Sequence, residues 1–531
     1  MVDVVIVGSG AAGGWASKCL TEAGLRVVVL DAGPSPLQEG PLDYFKVRRR
    51  PSTPFCDPEL VKRQHVQQRH PAFTETSHKF FADDVANPYT SGPNEFSWIR
   101  SRQVGGRTLL WGGQTWRLSD FEMSPSGLSE LDGVTPWPLK YSDLAPFYDE
   151  IESALGVAGG DEDYPQLPRG NFLAPNPLTP AETRFRDVAL AEGLPVVLTR
   201  SVSVRPTASG WPSFSSQEFA LRAAADTGLC TIISNAAVEK ILLHPGKGLA
   251  SGVSYVDAVT KERKTIEARA VVLAASTIES VRILLNSAPG GLANESGVLG
   301  KYFVDHPMDA YIVQLPPELT QEDPALFWNG DGIYIPRFRN IAAREASYFG
   351  GFGIALWLGR KGLDYFFRAA DPDGTKLGGY APDGLGAVLV VGECTPKKES
   401  TISLAPTRDD CGIPTPHVNL VYGENERAML ADARAAVERL TERIGAKIIM
   451  DTHVAAGLSV HELGGARFGD DPATSYLDPN CRSWSIPNLC VVDGACWPTA
   501  AYQNPTLTIM AVALRASRSL ATWLGAPIRS A

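Results

Sequence analysis

The sequence predicts an α/β protein: a nucleotide-binding domain of Rossmann type, assembled from separated stretches of chain and interleaved with a second domain. Three observations carry this reading. Near residue 4 an apolar run ends in a glycine-rich turn, and a helical pattern and a second apolar run ending in an acid follow. The alternation of apolar strand, turn and helix returns at about 270–285 and again at about 489–523, after long stretches of different character. The chain has 531 residues, too many for one small core, because single cores stop growing at roughly 250–300 residues.

The first unit reads VVIVGSGAAGGWASKCLTEAGLRVVVLDAGP from Val4 to Pro34. Val4 to Val7 predicts a strand, Gly8-Ser9-Gly10-Ala11-Ala12-Gly13 the turn, and Val27 to Leu30 a second strand ending in Asp31-Ala32. That is the order of a dinucleotide-binding βαβ unit. Gly8 permits the tight turn, Gly10 lets the backbone approach a pyrophosphate, and Gly13 lets helix and strand pack closely. The helix N-terminus offers free N–H groups and partial positive charge to phosphates. Asp31 can accept from both ribose hydroxyls and would repel a 2′-phosphate, which favours FAD or NAD over NADP.

The following elements are read in order. Residues 41–99 are rich in Pro, His and charge with little periodicity, which predicts an excursion over the surface or over the active site. Ser101 to Asp120 is a second glycine-rich block, SRQVGGRTLLWGGQTWRLSD. A short helix at Asp143 to Ala154 precedes Pro-rich loops. A helical pattern spans Ser216 to Gly228, followed by a strand at Thr231 to Ser234, a β-meander from Val238 to Glu267, an apolar strand at Ala270 to Ala275 and a helix from Ser276 to Leu285. Strand-like runs at Ala310 to Gln314 and Gly386 to Glu393 and a helix from Asn425 to Ile444 come next. The chain closes with a strand at Leu489 to Asp493 and a helix from Pro505 to Trp523. On this reading 1–40, 100–120, 215–305 and 456–531 build the nucleotide-binding domain. Residues 41–99 form an excursion or lid, and 121–214 with 306–455 form a substrate-binding domain with a mostly antiparallel sheet and helices.

Composition excludes several classes. There are 49 Lys and Arg against 59 Asp and Glu, a net charge of −10 without a long basic run, which argues against nucleic-acid binding. Arg48-Arg49-Arg50, followed by Pro51, reads as a solvated loop. The eight Cys, Cys56 among them, show no CxxC spacing, so neither a structural zinc nor an iron–sulfur site is expected. His65, His70 and His78 are too irregularly spaced for a metal site and read as loop residues. No apolar run reaches membrane-spanning length and no signal peptide precedes the first strand, so a cytoplasmic location is expected.

Four blocks together resemble the glucose–methanol–choline (GMC) oxidoreductase superfamily. Beside the N-terminal unit, Val104-Gly105-Gly106-Arg107-Thr108 with Trp111-Gly112-Gly113 is similar to its second Gly-rich motif. Ala274-Ala275-Ser276-Thr277-Ile278-Glu279-Ser280 resembles its interior signature, followed by Gly300 and Asp305-His306-Pro307. Asp493-Gly494, Pro498 and Asn504-Pro505-Thr506-Leu507-Thr508 resemble its C-terminal flavin motif. Within the superfamily, Phe80 to Arg107, with Asn87-Pro88-Tyr89-Thr90 and Trp98-Ile99-Arg100, is most similar to bacterial pyranose oxidases and glycoside 3-oxidases or 3-dehydrogenases. The resemblance implies the GMC fold and FAD as cofactor. It places Gly105, Gly106, Arg107, Thr108, Trp111, Gly112, Gly113, Val238, Ala275, Ser276, Asp493, Gly494, Asn504, Pro505 and Thr506 against it. Some pyranose oxidases bond flavin covalently through a His of the second Gly-rich motif. Leu110 stands there and cannot form the bond, so FAD is expected to be non-covalent unless another residue such as His78 is used.

The resemblance also implies the chemistry. Alcohol oxidation needs a hydride acceptor, flavin N5, a base for the hydroxyl proton and a partner to orient that hydroxyl. His461, in Val460-His461-Glu462-Leu463, matches the superfamily's catalytic His, and Asn504 its second His or Asn. An Asn before Pro505 at a helix start is also an ordinary N-cap and N1 pair. His306 is assigned a structural role. A sugar or glycoside oxidised at a secondary ring hydroxyl (C2 or C3) is the expected substrate. Gln103, Arg107, Gln114, Thr115, Glu393 and Gln503 are candidate partners, and oxygen, a quinone or another compound is the electron acceptor. Alternatives are a non-sugar alcohol or natural-product intermediate and, in another class, a lyase or non-redox flavoprotein of the same fold.

Overall fold

The computed structural model describes residues 2–35, 57–75, 77–125, 127, 130–202, 213–320, 330–363, 366–367, 370–371 and 374–527. The Arg48-Arg49-Arg50 cluster, Pro51 and Cys56 lie outside the described residues. Two large sheets organise the molecule. In the first, the strand Val2–Val7 lies between Val27–Leu30 and Arg263–Leu273, parallel to both, and Cys230–Ile233 extends the parallel set beyond Val27–Leu30. Leu489–Val491 runs parallel on the other side of Arg263–Leu273. The parallel strands are apolar without alternation because helices and further chain cover both faces. The helix Ala11–Glu22 follows the first turn, and the last helix, Thr506–Trp523, packs against it.

The expected meander and apolar strand turn out to share one strand, Arg263–Leu273. Its first half alternates exposed and half-buried residues and pairs antiparallel with Ala250–Asp257. Its second half is almost continuously buried and joins the parallel core. One long strand thus serves two environments, and each half carries the pattern its environment requires.

The second sheet is antiparallel throughout, in the order Lys447–Val454, Met308–Gln314, Leu385–Gly392, Phe352–Leu358, Ile333–Ile335 and Val197–Leu198. Alternate residues point to opposite faces. Tyr311, Val313, Ile354, Leu356, Val388 and Val390 pack with the helices Pro180–Ala191 and Glu424–Arg443. The helix Glu424–Arg443 buries Met429, Leu430, Ala433, Ala436, Val437 and Leu440, a stripe at three- and four-residue spacing. The opposite face of the sheet looks onto a cavity of about 840 Å³ that runs along the seam with the first sheet.

The first turn is held by contact too close for any side chain. A Cβ on Gly13 would lie 1.9 Å from the Gly8 carbonyl oxygen, and one on Gly8 would lie 2.3 Å from that of Ala274. Gly8 also has φ +96°. Gly10 differs: its φ is −70°, and an added Cβ meets nothing within 4 Å. Gly13→Ala is therefore expected to destabilise the nucleotide-free protein by about 1–3 kcal/mol, the usual range for overpacking, whereas Gly10→Ala should leave it unchanged. Urea unfolding of the stripped proteins checks this, and equal midpoints for the two variants would contradict it.

Candidate active site

A chain of contacts orders the cavity. At one end lies the glycine turn. Asp31 accepts from the Ser9 hydroxyl at 2.5 Å, from the Ser9 N–H at 3.2 Å and from the Gly33 N–H at 3.1 Å, so it braces the turn while still lining the cavity. Burial raises its carboxyl above the ordinary value. Gly106 comes next: a Cβ there would lie 3.1 Å from the Gly10 Cα. Arg107 then donates to Ser276 Oγ at 3.2 Å, to the Val460 carbonyl at 3.1 Å and to Glu462 at 2.7 Å. These bonds bring the second Gly-rich block, the interior signature and the loop before His461 into one place.

His461 is held from three directions. Its backbone N–H donates to Asp305 at 3.1 Å, its Nδ1 lies 2.9 Å from Nδ1 of His306, and its Nε2 lies 3.0 Å from Nδ2 of Asn504. The Asn504 amide donates to Nε2, so the proton of the neutral ring sits on Nδ1 and is donated to His306. Val460, just before it, has φ +57°, a conformation a β-branched residue rarely adopts. Arg107 on its carbonyl and Asp305 on the next N–H hold that strained peptide. Burial first, then His306 and Arg107, lower the His461 pKa well below the ordinary histidine value. Burial pushes His306 down to about 3. Burial and the neighbouring Glu462 push Asp305 up to about 7.

The expected cap at the last helix is not formed. The helix begins at Thr506, Pro505 occupies the cap position, and no side chain bonds its N–H groups. The Asn504 amide is drawn to His461 instead. Pro505 and Thr506 line the cavity, so the helix brings its unbonded first-turn N–H groups and partial positive charge to that wall.

Of the residues singled out from sequence, Gly8, Gly10, Ala11, Ala12, Asp31, Ala32, Gly106, Arg107, Thr108, Trp111, Gly112, Gly113, Gln114, Val238, Ala275, Ser276, His461, Asp493, Gly494, Asn504, Pro505 and Thr506 line this one cavity, as do Leu110 and His70. Gly13 and Gly105 stand behind the wall: Gly13 packs on Gly8, and the N–H of Gly105 donates to Ser9 Oγ. The Thr108 hydroxyl donates to the Gly105 carbonyl and accepts from the Ser216 N–H, which fixes the loop. Asp493 accepts from Ser280 Oγ and from the Ala495 N–H, and burial pushes it up to about 6. Gln114 donates to the Gly330 carbonyl.

Glu393 and Gln503 are not brought to the cavity. Glu393 lies one residue beyond the strand Leu385–Gly392, buried against Gly350, with Arg337 3.7 Å away. Gln503 and Glu122 are buried in the same region, where Arg337 also lies 4.0 Å from Glu122. A strand end read from one sequence does not say which side of the sheet the next residue takes. His306 is the converse case. Its place before Pro307 suggests a structural role, yet it touches His461 directly, and the Asp-His-Pro motif is the available signal. Among the described residues no cluster of metal ligands occurs, and no helix is long and apolar enough to cross a membrane.

Family models for the N-terminal and C-terminal parts of GMC oxidoreductases match residues 212–308 and 396–513. The chain is a GMC oxidoreductase. Similar proteins include 2-methyl-1,2-propanediol dehydrogenase of Mycolicibacterium austroafricanum, 27% identical over 97% of this chain and 94% of its own length. Paromamine 6′-oxidase of Streptomyces fradiae is 26% identical over 98% of this chain and 91% of its own. C-glycoside 3-oxidase of Microbacterium trichothecenolyticum is 24% identical over 100% and 98%. Among solved structures, Aspergillus oryzae RIB40 formate oxidase carrying R554K, solved to study FAD modification, superposes with a TM-score of 0.68 at 13% identity over 98% of both chains.

FAD is the cofactor of this GMC oxidoreductase. The residues present fit it. The space above Gly10 and Gly112, where an added Cβ meets nothing within 4 Å, leaves the backbone open to a ligand. Helix N-termini at Ala11 and Thr506 both reach the same cavity, as an anionic pyrophosphate and an electron-accepting ring require.

Two outcomes are expected. Gly10→Ala should lower the FAD content of the purified protein, because its methyl enters open cavity space rather than packed chain. With His461 as the base of an alcohol oxidation, its titration would set the pH profile of flavin reduction by saturating alcohol. The base form is lost as pH falls through the folded pKa, and that value is lowered, so the rate should stay flat from about pH 8 down to about pH 6.5, the ordinary histidine value. An acid limb centred at or above that value would contradict the assignment.

Proposed function

We propose that this enzyme oxidises a secondary alcohol, with His461 as general base and Asn504 as the group that orients the hydroxyl. The observation that carries it is the 3.0 Å approach of Asn504 Nδ2 to His461 Nε2 on the cavity wall. An alcohol oxygen that enters between the two groups accepts from the amide, which turns from Nε2 to it, and gives its proton to the Nε2 lone pair so freed. FAD, when bound, supplies the acceptor for the hydride that leaves the carbinol carbon. His461 starts neutral because its buried setting disfavours the imidazolium. As it takes the proton on Nε2, its Nδ1–H remains donated to His306, whose ring stays neutral and keeps the imidazole oriented. The Arg107–Glu462 pair and Asp305 hold the loop and do not exchange protons in this scheme.

The names of the relatives support a sugar-derived substrate, since paromamine 6′-oxidase and C-glycoside 3-oxidase act on such compounds. The 6′ position of paromamine is an exocyclic primary carbon and position 3 of a glycoside is a ring carbon; following the 3-oxidase, we assign a ring hydroxyl of a glycoside as the oxidised group. The diol-acting relative keeps a non-sugar alcohol as the second reading. FAD is held non-covalently, because Leu110 stands on the cavity wall where a linking His would be needed.

His461→Ala should reduce the rate of flavin reduction about 10²- to 10⁴-fold, the usual worth of positioned proton transfer, with FAD content near normal. Asn504→Ala should lose less and should not lower stability, since Asn504 caps nothing. Stopped-flow reduction under anaerobic conditions measures both, and near-wild-type reduction in His461→Ala would overturn the mechanism. Acid precipitation should leave the yellow colour in the supernatant; colour in the pellet would refute non-covalent binding.

A further inference from the structure

The cavity face of the antiparallel sheet has a composition that bears on the substrate. Strand register places Ala310, Leu389 and Ala355 side by side in one row, flanked by Thr452 and Tyr334 at its ends, and Ile312, Ala387 and Trp357 in the next. Alternation sends all of them to the cavity side, and all line it. The middle of the surface is apolar, and the alanines there take up less room than the larger side chains beside them. The surface is also directional. His306, which touches His461, lies two residues before Met308, where this strand begins. At roughly 3.3 Å per residue, the rows at Ala310 and Ile312 lie progressively farther from the base.

Most polar groups beside the middle of these rows are already engaged; the Tyr334 hydroxyl, next to Ala355, and the Gln114 amide oxygen are buried cavity-wall groups left without a partner among the described residues. Arg107 is bonded to Glu462 and Ser276, Ser459 to Asp305, and the Gln114 amide nitrogen to the Gly330 carbonyl. A free sugar, which needs a hydrogen-bonding partner for each buried hydroxyl, finds few along these rows. Resting on the alcohol-oxidase reading above, we infer that the substrate is amphipathic: a carbinol at His461, attached to an apolar ring system, aromatic or alicyclic, that lies along the sheet rows toward Trp357. For a glycoside, this makes the apolar aglycone the chief determinant of recognition.

The test uses the FAD-loaded enzyme and two matched pairs: glucose against phenyl β-glucoside, and cyclohexanol against 4-phenylcyclohexanol. In each pair the phenyl-bearing member should reduce the flavin with kcat/KM at least about tenfold higher, the discrimination a hydrophobic pocket readily gives. Ala387→Asp, placed in the farther row, should shrink that ratio severalfold. If that variant fails to hold FAD, Ala387→Leu, which enlarges the side chain there, should do the same. Binding is read separately with 4-phenylcyclohexanone, which cannot donate a hydride, through its perturbation of the flavin spectrum. If the ketone binds and no alcohol reduces the flavin, the catalytic reading fails and the apolar surface stands. Absence of ketone binding, or glucose matching its phenyl glycoside, would overturn the inference.

Discussion

The site depends on one buried carboxylate. Asp305 accepts from the N–H of Gly457, the hydroxyl of Ser459 and the N–H of His461, three donors from a single short loop. It stands immediately before His306 and just ahead of the strand Met308–Gln314 of the antiparallel sheet. One side chain therefore ties the loop that carries the proposed base to the sheet that walls the cavity. Accepting three hydrogen bonds favours the charged form, while burial and Glu462 oppose it. The loop closes around this group at the cost of backbone strain at Val460, which the Arg107 bond to the Val460 carbonyl helps to hold.

The two sheets divide the work by their different physics. The parallel sheet ends its strands at a glycine turn and a helix N-terminus, which concentrates N–H groups and positive potential where an anionic cofactor needs them. The antiparallel sheet can spend one face on helices and leave the other to a cavity, because its side chains alternate. The seam between a polar, dipole-rich wall and an apolar wall is where the proposed base and its amide partner sit. Both His461 and Asn504 reach that seam from the C-terminal stretch, Asn504 at the foot of the last helix.

Legibility in the sequence followed the range of the constraint. Gly8 and Gly13 could be read because a turn and a helix crossing within a few residues demand them, and their added Cβ atoms would collide with backbone. Helices such as Glu424–Arg443 were readable within a residue or two because their apolar stripe is local. Asn504 shows the limit. Its sequence neighbours suit a cap, yet a histidine 43 positions away claims its amide. Local propensity lost to a tertiary hydrogen bond. Glu393 and Gln503 show the same limit from the other side, since polar residues beside motifs were turned toward Arg337 and Glu122 rather than the cavity.

By itself, then, the sequence determined the α/β class, the nucleotide turn with its acid, the family and the FAD cofactor, because these rest on backbone geometry and on short motifs whose residues act on their own neighbours. Only the tertiary structure decided that His306 backs His461, that Asn504 faces the imidazole, and that six residues from three strands form one apolar shelf. Each of these is a meeting of side chains far apart in the chain. Strand register and the side of a sheet on which a residue falls bring them together, and a one-residue shift would reverse both.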